Sequence, residues 1–373
     1  MDASSLYAEL DRRAAQISPQ VIAWRHHVHQ HPELSNREVN TARLIADHLK
    51  SLGLDDVRTG IAGHGVVGVL RGGQPGERVV ALRGDIDALP VKEQSGLPFA
   101  STVVDKDYPG GPFPVAHACG HDCHVAMLMG TASILTALRE RLAGTVLFVF
   151  QPAEEGPPIA EKGGAREMLA QGALSDPAPS MVFGMHVAPL PKGVIGYCRG
   201  NEFAASCLVK IVVNGKQTHG SIPWEGVDPM PAAAAIIGGI GQVYRQLPAH
   251  NPVTVTIGHL EDVGRFNIIG EHVTLWGTIR CSVQADMGTR SATCASSSKA
   301  APRPTAARRR WNTCRTCRRS STATSGWTPA CQYSNAWPAP AASWSCRRSS
   351  VTTTSRNSST ASAGSTSSSA CRT

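Results

Sequence analysis

The chain has 373 residues, 42% hydrophobic and 17% charged, enough for two ordinary globular domains of about 100–200 residues each. Its formal charge of +8 would suggest nucleic acid or an anionic membrane, yet Lys299 and eleven arginines put +12 into residues 291–373 and leave −4 for the remainder. No run is apolar and long enough to span a bilayer and the N-terminus lacks a secretory apolar core, so a soluble cytoplasmic protein with reduced thiols is expected.

Ser4 to about Arg25 has amphipathic helical spacing, and Ser35 to Leu52 predicts a second helix, opened by a capping box of Ser35 and Glu38 and stopped by Gly53. Short apolar runs at Val66–Leu70 and Arg78–Leu82, bounded by glycine-rich turns, suit buried strands. A helix from about His124 to Leu142, a strand at Val146–Phe150, a helix at Gly164–Leu169 and a strand at Met181–Gly184 follow. This alternation predicts an α/β domain with a largely parallel sheet flanked by helices, over residues 1–192.

Beyond Pro191 the pattern changes to strands at Val194–Cys198 and Leu208–Val213, a helix around Pro231–Gln246, and strands at Val253–Leu260 and Val273–Cys281. A smaller α+β domain is expected over 193–285. From Ser291 to Thr373 there is no Leu, Ile, Met, Phe, Asp, Glu or His, so residues 286–373 read as a low-complexity tail, expected to be disordered.

In open α/β sheets, ligands gather beyond the carboxyl ends of the strands. Here Asp85 and Asp87 follow one strand, Glu154 and Glu155 another, and His186 a third, while His117-Ala-Cys-Gly-His-Asp-Cys-His124 precedes a helix. Cys119, His121, Glu155 and His186 offer a thiolate, imidazoles and a carboxylate, a mixture suited to Zn, Mn, Co or Ni rather than Ca or Mg. Of the adjacent carboxylates, Glu155 is assigned as ligand and Glu154 as the base that takes a proton from water. A lone His or Cys is usually structural; it is the combination that points to a metal. His26, His27, His29 and His31 suit a surface or outer helix end, and Cys123 and His124 suit outer or incidental positions.

The stretches RHHVHQHPELS, LRGDIDALP, HACGHDCH, QPAEEG and GKQTHGSIP resemble, in that order, the hippurate hydrolase and N-acyl-L-amino-acid amidohydrolase family, including auxin-conjugate hydrolases. The resemblance runs from about Ile22 to Cys281. It implies a catalytic domain with two divalent metal ions and an inserted lid domain that gives homodimer contacts and substrate groups. It carries over Cys119, His121, Glu155 and His186 as ligands, Glu154 as base and Asp87 as a residue that orients a ligand. His219 and Asn267, on the lid, would touch the substrate's carbonyl or carboxylate; the plainer reading of His219 is a strand-end turn residue. The implied reaction is hydrolysis of an N-acyl amino acid.

The family's sequences return to the catalytic domain after the lid and end with a further histidine ligand, yet no histidine follows His272. A GC-rich gene read out of phase yields this excess of Arg, Ser, Ala, Thr, Pro and Cys. Trp311–Ser320 read one base earlier permits Val-Glu-Tyr-Leu-Gln-Asp-Leu-Pro-Pro-Val, and Val351–Ser358 permits Gly-Asp-Tyr-Asp-Phe-Ser-Glu-Phe, both family-like. A frameshift near residues 282–290 is therefore expected, with poor folding beyond Cys281 and impaired activity. Two rival readings are a dinuclear carboxypeptidase or dipeptidase on the same scaffold, and a non-catalytic protein whose Arg-Ser tail binds nucleic acid.

Overall fold

The computed structural model describes residues 3–197, 203–246, 253–281 and 309–311. Backbone contacts divide the chain into two units, Met1–Ala188 with Phe203–Ala342, and Pro189–Glu202 with Ser343–Thr373. The described part of the second unit, residues 189–197, is irregular, with Leu190, Val194, Ile195 and Tyr197 exposed. A strand was expected from Val194; instead residues 194–197 form no ladder, Gly193 and Gly196 breaking up an apolar run too short to organise one. Cys198 lies outside the described residues.

The first unit opens with helices α1 (Ala3–Gln30) and α2 (Val39–Ser51), then β1 (Asp56–Ile61), β2 (Gly65–Arg71) and β3 (Gln74–Asp85). After the short ribbon β4 (Val104–Asp105) and β5 (Phe113–Pro114) come α3 (His121–Ala137), β6 (Ala143–Gln151), α4 (Gly164–Ala170) and β7 (Met181–Gly184). The sheet has the order β1-β2-β6-β3-β7. Strands β6, β3 and β7 run parallel, as the alternating pattern predicts, while β1 and β2 add an antiparallel hairpin. The sheet is therefore mixed; β1 escaped notice because Asp56–Ile61 is half exposed and has no apolar alternation.

Alternate side chains of a strand leave opposite faces. Val66 and Leu70 of β2 and Phe148 and Phe150 of β6 pack with Ile45 and Leu49 of α2 and Val125 and Met129 of α3. Their neighbours Val67, Val69, Leu147 and Val149 face the other way, onto Met168 of α4 and Ala173. Each such buried side chain stabilises the fold by about 1.5–3 kcal/mol, so both faces hold the strands in register.

The capping box expected for α2 is not formed. The helix starts at Val39, and the Glu33 carboxylate accepts the backbone N–H groups of Asn40 and Thr41. A longer acidic side chain placed before the turn reaches those orphan donors, which releases Ser35 and Glu38 for other partners described below.

The remaining elements are β8 (Ala205–Asn214), β9 (Thr218–His219), α5 (Met230–Ile240), β10 (Val253–Asp262), β11 (Ile268–Ile269), β12 (His272–Cys281) and β13 (Arg309–Trp311). An antiparallel sheet of order β10-β12-β8-β13 has its own core, in which Val209, Ile211 and Val213 of β8 alternate inward with Val273, Leu275 and Ile279 of β12. Ala232, Ala233 and Ile236 of α5 cover it. Of the α+β texture expected beyond Pro191, the strands and helix appear from Ala205 to Cys281. Of the expected tail only residues 309–311 are described, paired with β8; the rest of 286–373 lies outside the described residues.

Candidate metal centre

Because β3, β6 and β7 are parallel, their carboxyl ends meet at one edge. Asp85 closes β3, Glu154 and Glu155 follow β6, and His186 follows β7. Helix α3 begins at the same edge and supplies His121 in its first turn, with Cys119 just ahead. Between them Gly120 has φ +86°, and a Cβ there would stand 2.3 Å from Val187 Cγ2. Only glycine permits this approach of the helix start to the His186 loop.

His121 lies at the centre. Its Nδ1 is 3.2 Å from Asp87 Oδ1, and since a carboxylate only accepts, Nδ1 carries the proton. The other nitrogen, Nε2, is buried without a hydrogen-bond partner and faces Asp85 Oδ1 at 3.7 Å, Glu154 Oε2 at 3.8 Å and Glu155 Oε1 at 3.8 Å. Cys119 Sγ lies 3.3 Å from His186 Nε2. Two donor groups result, Cys119 with His121 and His186, and His121 with Glu154 and Glu155, with the ligand atoms of each group within 4.8 Å of one another.

These spacings fit a cation. Donors 2.0–2.3 Å from one ion at tetrahedral angles lie about 3.3–3.8 Å apart. Glu155 Oε1, like His121 Nε2, is a buried polar atom with no partner, which is costly unless an ion satisfies it. Each of the two groups, Cys119 with His121 and His186 and His121 with Glu154 and Glu155, offers donor types and spacings that suit a borderline divalent metal, while Glu155 is not grouped with Cys119 or His186.

The electrostatics agree. Burial alone would lower the His121 pKa, but the Asp87 hydrogen bond, the Cys119 thiol and the Asp85 charge push it up to about 11 in the metal-free chain, so a proton sits where a metal would. Burial, with Asp85 nearby, raises the Glu154 carboxyl above the usual range against the pull of Arg83, as suits a base. Burial also opposes ionisation of Asp85, yet the His124 hydrogen bond and the Arg83 guanidinium hold it well below the usual range.

Asp87 serves three donors: Oδ2 accepts from the Ser35 hydroxyl at 2.6 Å and the Glu155 amide at 2.9 Å, while Oδ1 takes His121. The sequence alone marks His124 as an outer or incidental residue. Its Nε2 accepts the Val187 amide at 2.9 Å, so its Nδ1 donates to Asp85 Oδ1 at 2.5 Å, and it thereby ties the His186 loop to β3. Asp85 and His124 form a third donor group with His121. The spacing of three residues between His121 and His124 puts both on one helix face, the signal that could have found this pairing. His29 lies outside the donor groups, between Asp122 Oδ2 at 2.8 Å and Glu93 Oε1 at 3.0 Å.

His219 and Asn267 belong to the β9–β11 ribbon. They are brought side by side, since the Gly220 amide donates to the Asn267 carbonyl at 2.9 Å. His219 is exposed, its Nδ1 accepting from the Ser221 hydroxyl at 2.7 Å, and neither residue is part of the donor groups.

The sequence pattern of peptidase family M20/M25/M40 matches residues 81–360. The chain belongs to that family. Thermostable carboxypeptidase 1 of Saccharolobus solfataricus is 37% identical over 278 residues, covering 74% of this chain and 67% of that protein. N-acyl-L-amino acid amidohydrolase of Geobacillus stearothermophilus is 36% identical over 274 residues, covering 73% of this chain and 70% of that one. Among solved structures, the Bacillus subtilis YxeP protein, a dinuclear metal-binding peptidase of the M20 family, superposes with TM-score 0.56 at 32% identity, covering 80% of this chain and 74% of the other. This M20 chain is thus related to metal-dependent amidohydrolases and spans about two thirds of the carboxypeptidase's length. No helix among its described residues is long and apolar enough to cross a membrane.

Proposed function

We propose that this M20 protein hydrolyses the amide bond of N-acyl amino acids of the hippurate type. The observation that carries the proposal is the buried, unpartnered His121 Nε2, ringed by carboxylate oxygens at 3.7–3.8 Å in the same cluster as Cys119 and His186. Cys119, His121, Glu155 and His186 would hold up to two divalent ions drawn from Mn, Zn, Co and Ni. Such ions, when bound, supply Lewis-acid polarisation of the scissile carbonyl and make water more acidic. Glu154 takes the proton of the attacking water and returns it to the leaving amine, so that one amide and one water become a carboxylic acid and an amino acid. Asp87 keeps the His121 proton on Nδ1 and so turns Nε2 towards the other donors.

Residues 1–192 would act as the catalytic domain and 193–285 as the lid, where His219 and Asn267 meet the substrate's carboxylate or carbonyl and a second copy docks to make the homodimer. The tail is read as a frame-shifted segment that impairs turnover, because residues 291–373 contain no histidine, no Leu, Ile or Met, and Val351 as the single valine. A second reading, cleavage of dipeptides or peptide C-termini, is favoured by the identity to a carboxypeptidase.

Release of glycine from hippurate and of amino acids from dipeptides, with Mn, Co or Zn added, tests the proposal. Weak hippurate hydrolysis is expected, lost in Glu154→Gln and much increased when the codons after 281 are read in the neighbouring frame. Strong turnover by the chain as written would refute the impairment. Preference for dipeptides would select the second reading, and the absence of any turnover in the frame-restored chain would sink both.

A further inference from the structure

The two residues that look like a helix cap, Ser35 and Glu38, both make their hydrogen bonds elsewhere. Ser35 donates to Asp87 Oδ2, which also accepts the Glu155 amide. Glu38 is fully buried, and its Oε1 accepts the Ala153 amide at 2.7 Å. Ala153 has φ +49°, a left-handed conformation that a non-glycine residue adopts only when its surroundings impose it. This residue lies between the end of β6 at Gln151 and the pair Glu154 and Glu155.

We infer that Glu38 is a positioning residue, which grips the Ala153 amide and so sets the strained turn that aims Glu154 and Glu155 into the donor cluster. The proposal rests on the metallohydrolase reading above. A helix-starting carboxylate with an exposed, weak role would not be buried this deeply, nor reach across the fold to an amide 115 positions away. The same segment clamps the far side of that loop, for Arg37 pairs with Glu161 at 2.8 Å and Asn36 donates to the Lys162 carbonyl at 2.9 Å. Glu38 and Asp87 thus take alternate amides, Ala153 and Glu155, from the turn. Loss of either should let the turn relax towards ordinary backbone angles and swing both glutamates away.

Glu38→Gln retains the acceptor oxygen, whereas Glu38→Met removes it and Glu38→Asp draws it back by one methylene. Two readouts apply to the full chain: hydrogen exchange of the peptide containing the Ala153 amide, measured without metal, and the Kd for Co(II). Expected are faster Ala153 exchange and about ten- to a hundredfold weaker Co(II) binding in Glu38→Met and Glu38→Asp, with Glu38→Gln within about threefold of the parent on the same scale. Should Glu38→Met fail to fold, Glu38→Asp decides. Parent-like exchange and affinity in Glu38→Asp would overturn the inference, as would an equal loss in Glu38→Gln. Cys119→Ser separates the two claims: if it weakens Co(II) while Glu38→Asp does not, only the positioning role falls. If parent and Cys119→Ser bind Co(II) alike or not at all, the metal reading falls and the exchange readout alone judges Glu38.

Discussion

Asp87 Oδ1 lies 3.2 Å from His121 Nδ1, and this contact decides which ring nitrogen faces the remaining donors. Asp87→Asn must present an NH2 group to the Ser35 hydroxyl, the Glu155 amide or His121, all of which donate to it. Metal affinity should fall about ten- to a hundredfold, with stability lower by about 1–3 kcal/mol from the mismatched donors. Calorimetric titration with Zn and thermal melting check both; an unchanged Kd would show that Asp87 does not orient His121.

The proposed reaction gives the neighbours Glu154 and Glu155 different tasks. Glu154→Gln should keep the metal and lose about 10²–10⁴-fold in turnover, whereas Glu155→Gln should lose the metal itself. Elemental analysis of the two dialysed variants beside their hippurate rates separates the roles, and equal metal loss in both would cancel the assignment.

In the metal-free chain the His121 imidazole stays protonated up to about 11. Its folded value is raised, so the stability it adds to the metal-free protein is complete below about 6.5 and declines as pH rises from there through about 11. A metal must displace that proton, and its apparent affinity should therefore rise with pH by about tenfold per unit for each proton released. Titrations at pH 6, 7 and 8 would contradict this if affinity stayed flat.

Burial, reinforced by the charge of Asp87, raises the Glu38 carboxyl from 4.5 to about 8. The folded chain keeps that proton while the unfolded chain gives it up, so this group lowers stability as pH climbs from about 4.5 to about 8. Glu38→Gln should match the parent's unfolding free energy near pH 5 and exceed it near pH 8, by on the order of 1–3 kcal/mol, read by chemical denaturation at each pH. A constant difference across that range would contradict the cause given.

Gly120→Ala puts a Cβ 2.3 Å from Val187 Cγ2 at a positive φ. It should destabilise the start of α3 by about 1–3 kcal/mol and lower metal occupancy along with stability, read by melting and elemental analysis; a neutral result would mean that the loop carrying His186 yields freely.

Much of this was legible because strongly patterned segments report their surroundings. The runs within β2 and β6 are apolar enough to mark buried strands, whereas Met181–Gly184 forms its strand with Met181 and Phe183 exposed; polar residues just beyond the three strands mark a ligand-binding edge. Less legible were features that depend on distant partners. Nothing local separates a cap from a long-range hydrogen bond, so Ser35 and Glu38 read as a capping box while Glu33 does the capping. His124 looked incidental because its value lies in joining Asp85 to Val187, elements 39 and 63 positions away.

The central claim is that the donor groups meeting at His121, which include Cys119, Glu155 and His186, hold bound divalent cations. Crystals grown with Zn and measured at the metal's absorption edge test it most directly. The account predicts an anomalous peak about 2.0–2.3 Å from His121 Nε2 and from at least one of Cys119 Sγ and Glu155 Oε1; a map without a peak at this edge of the sheet would contradict it.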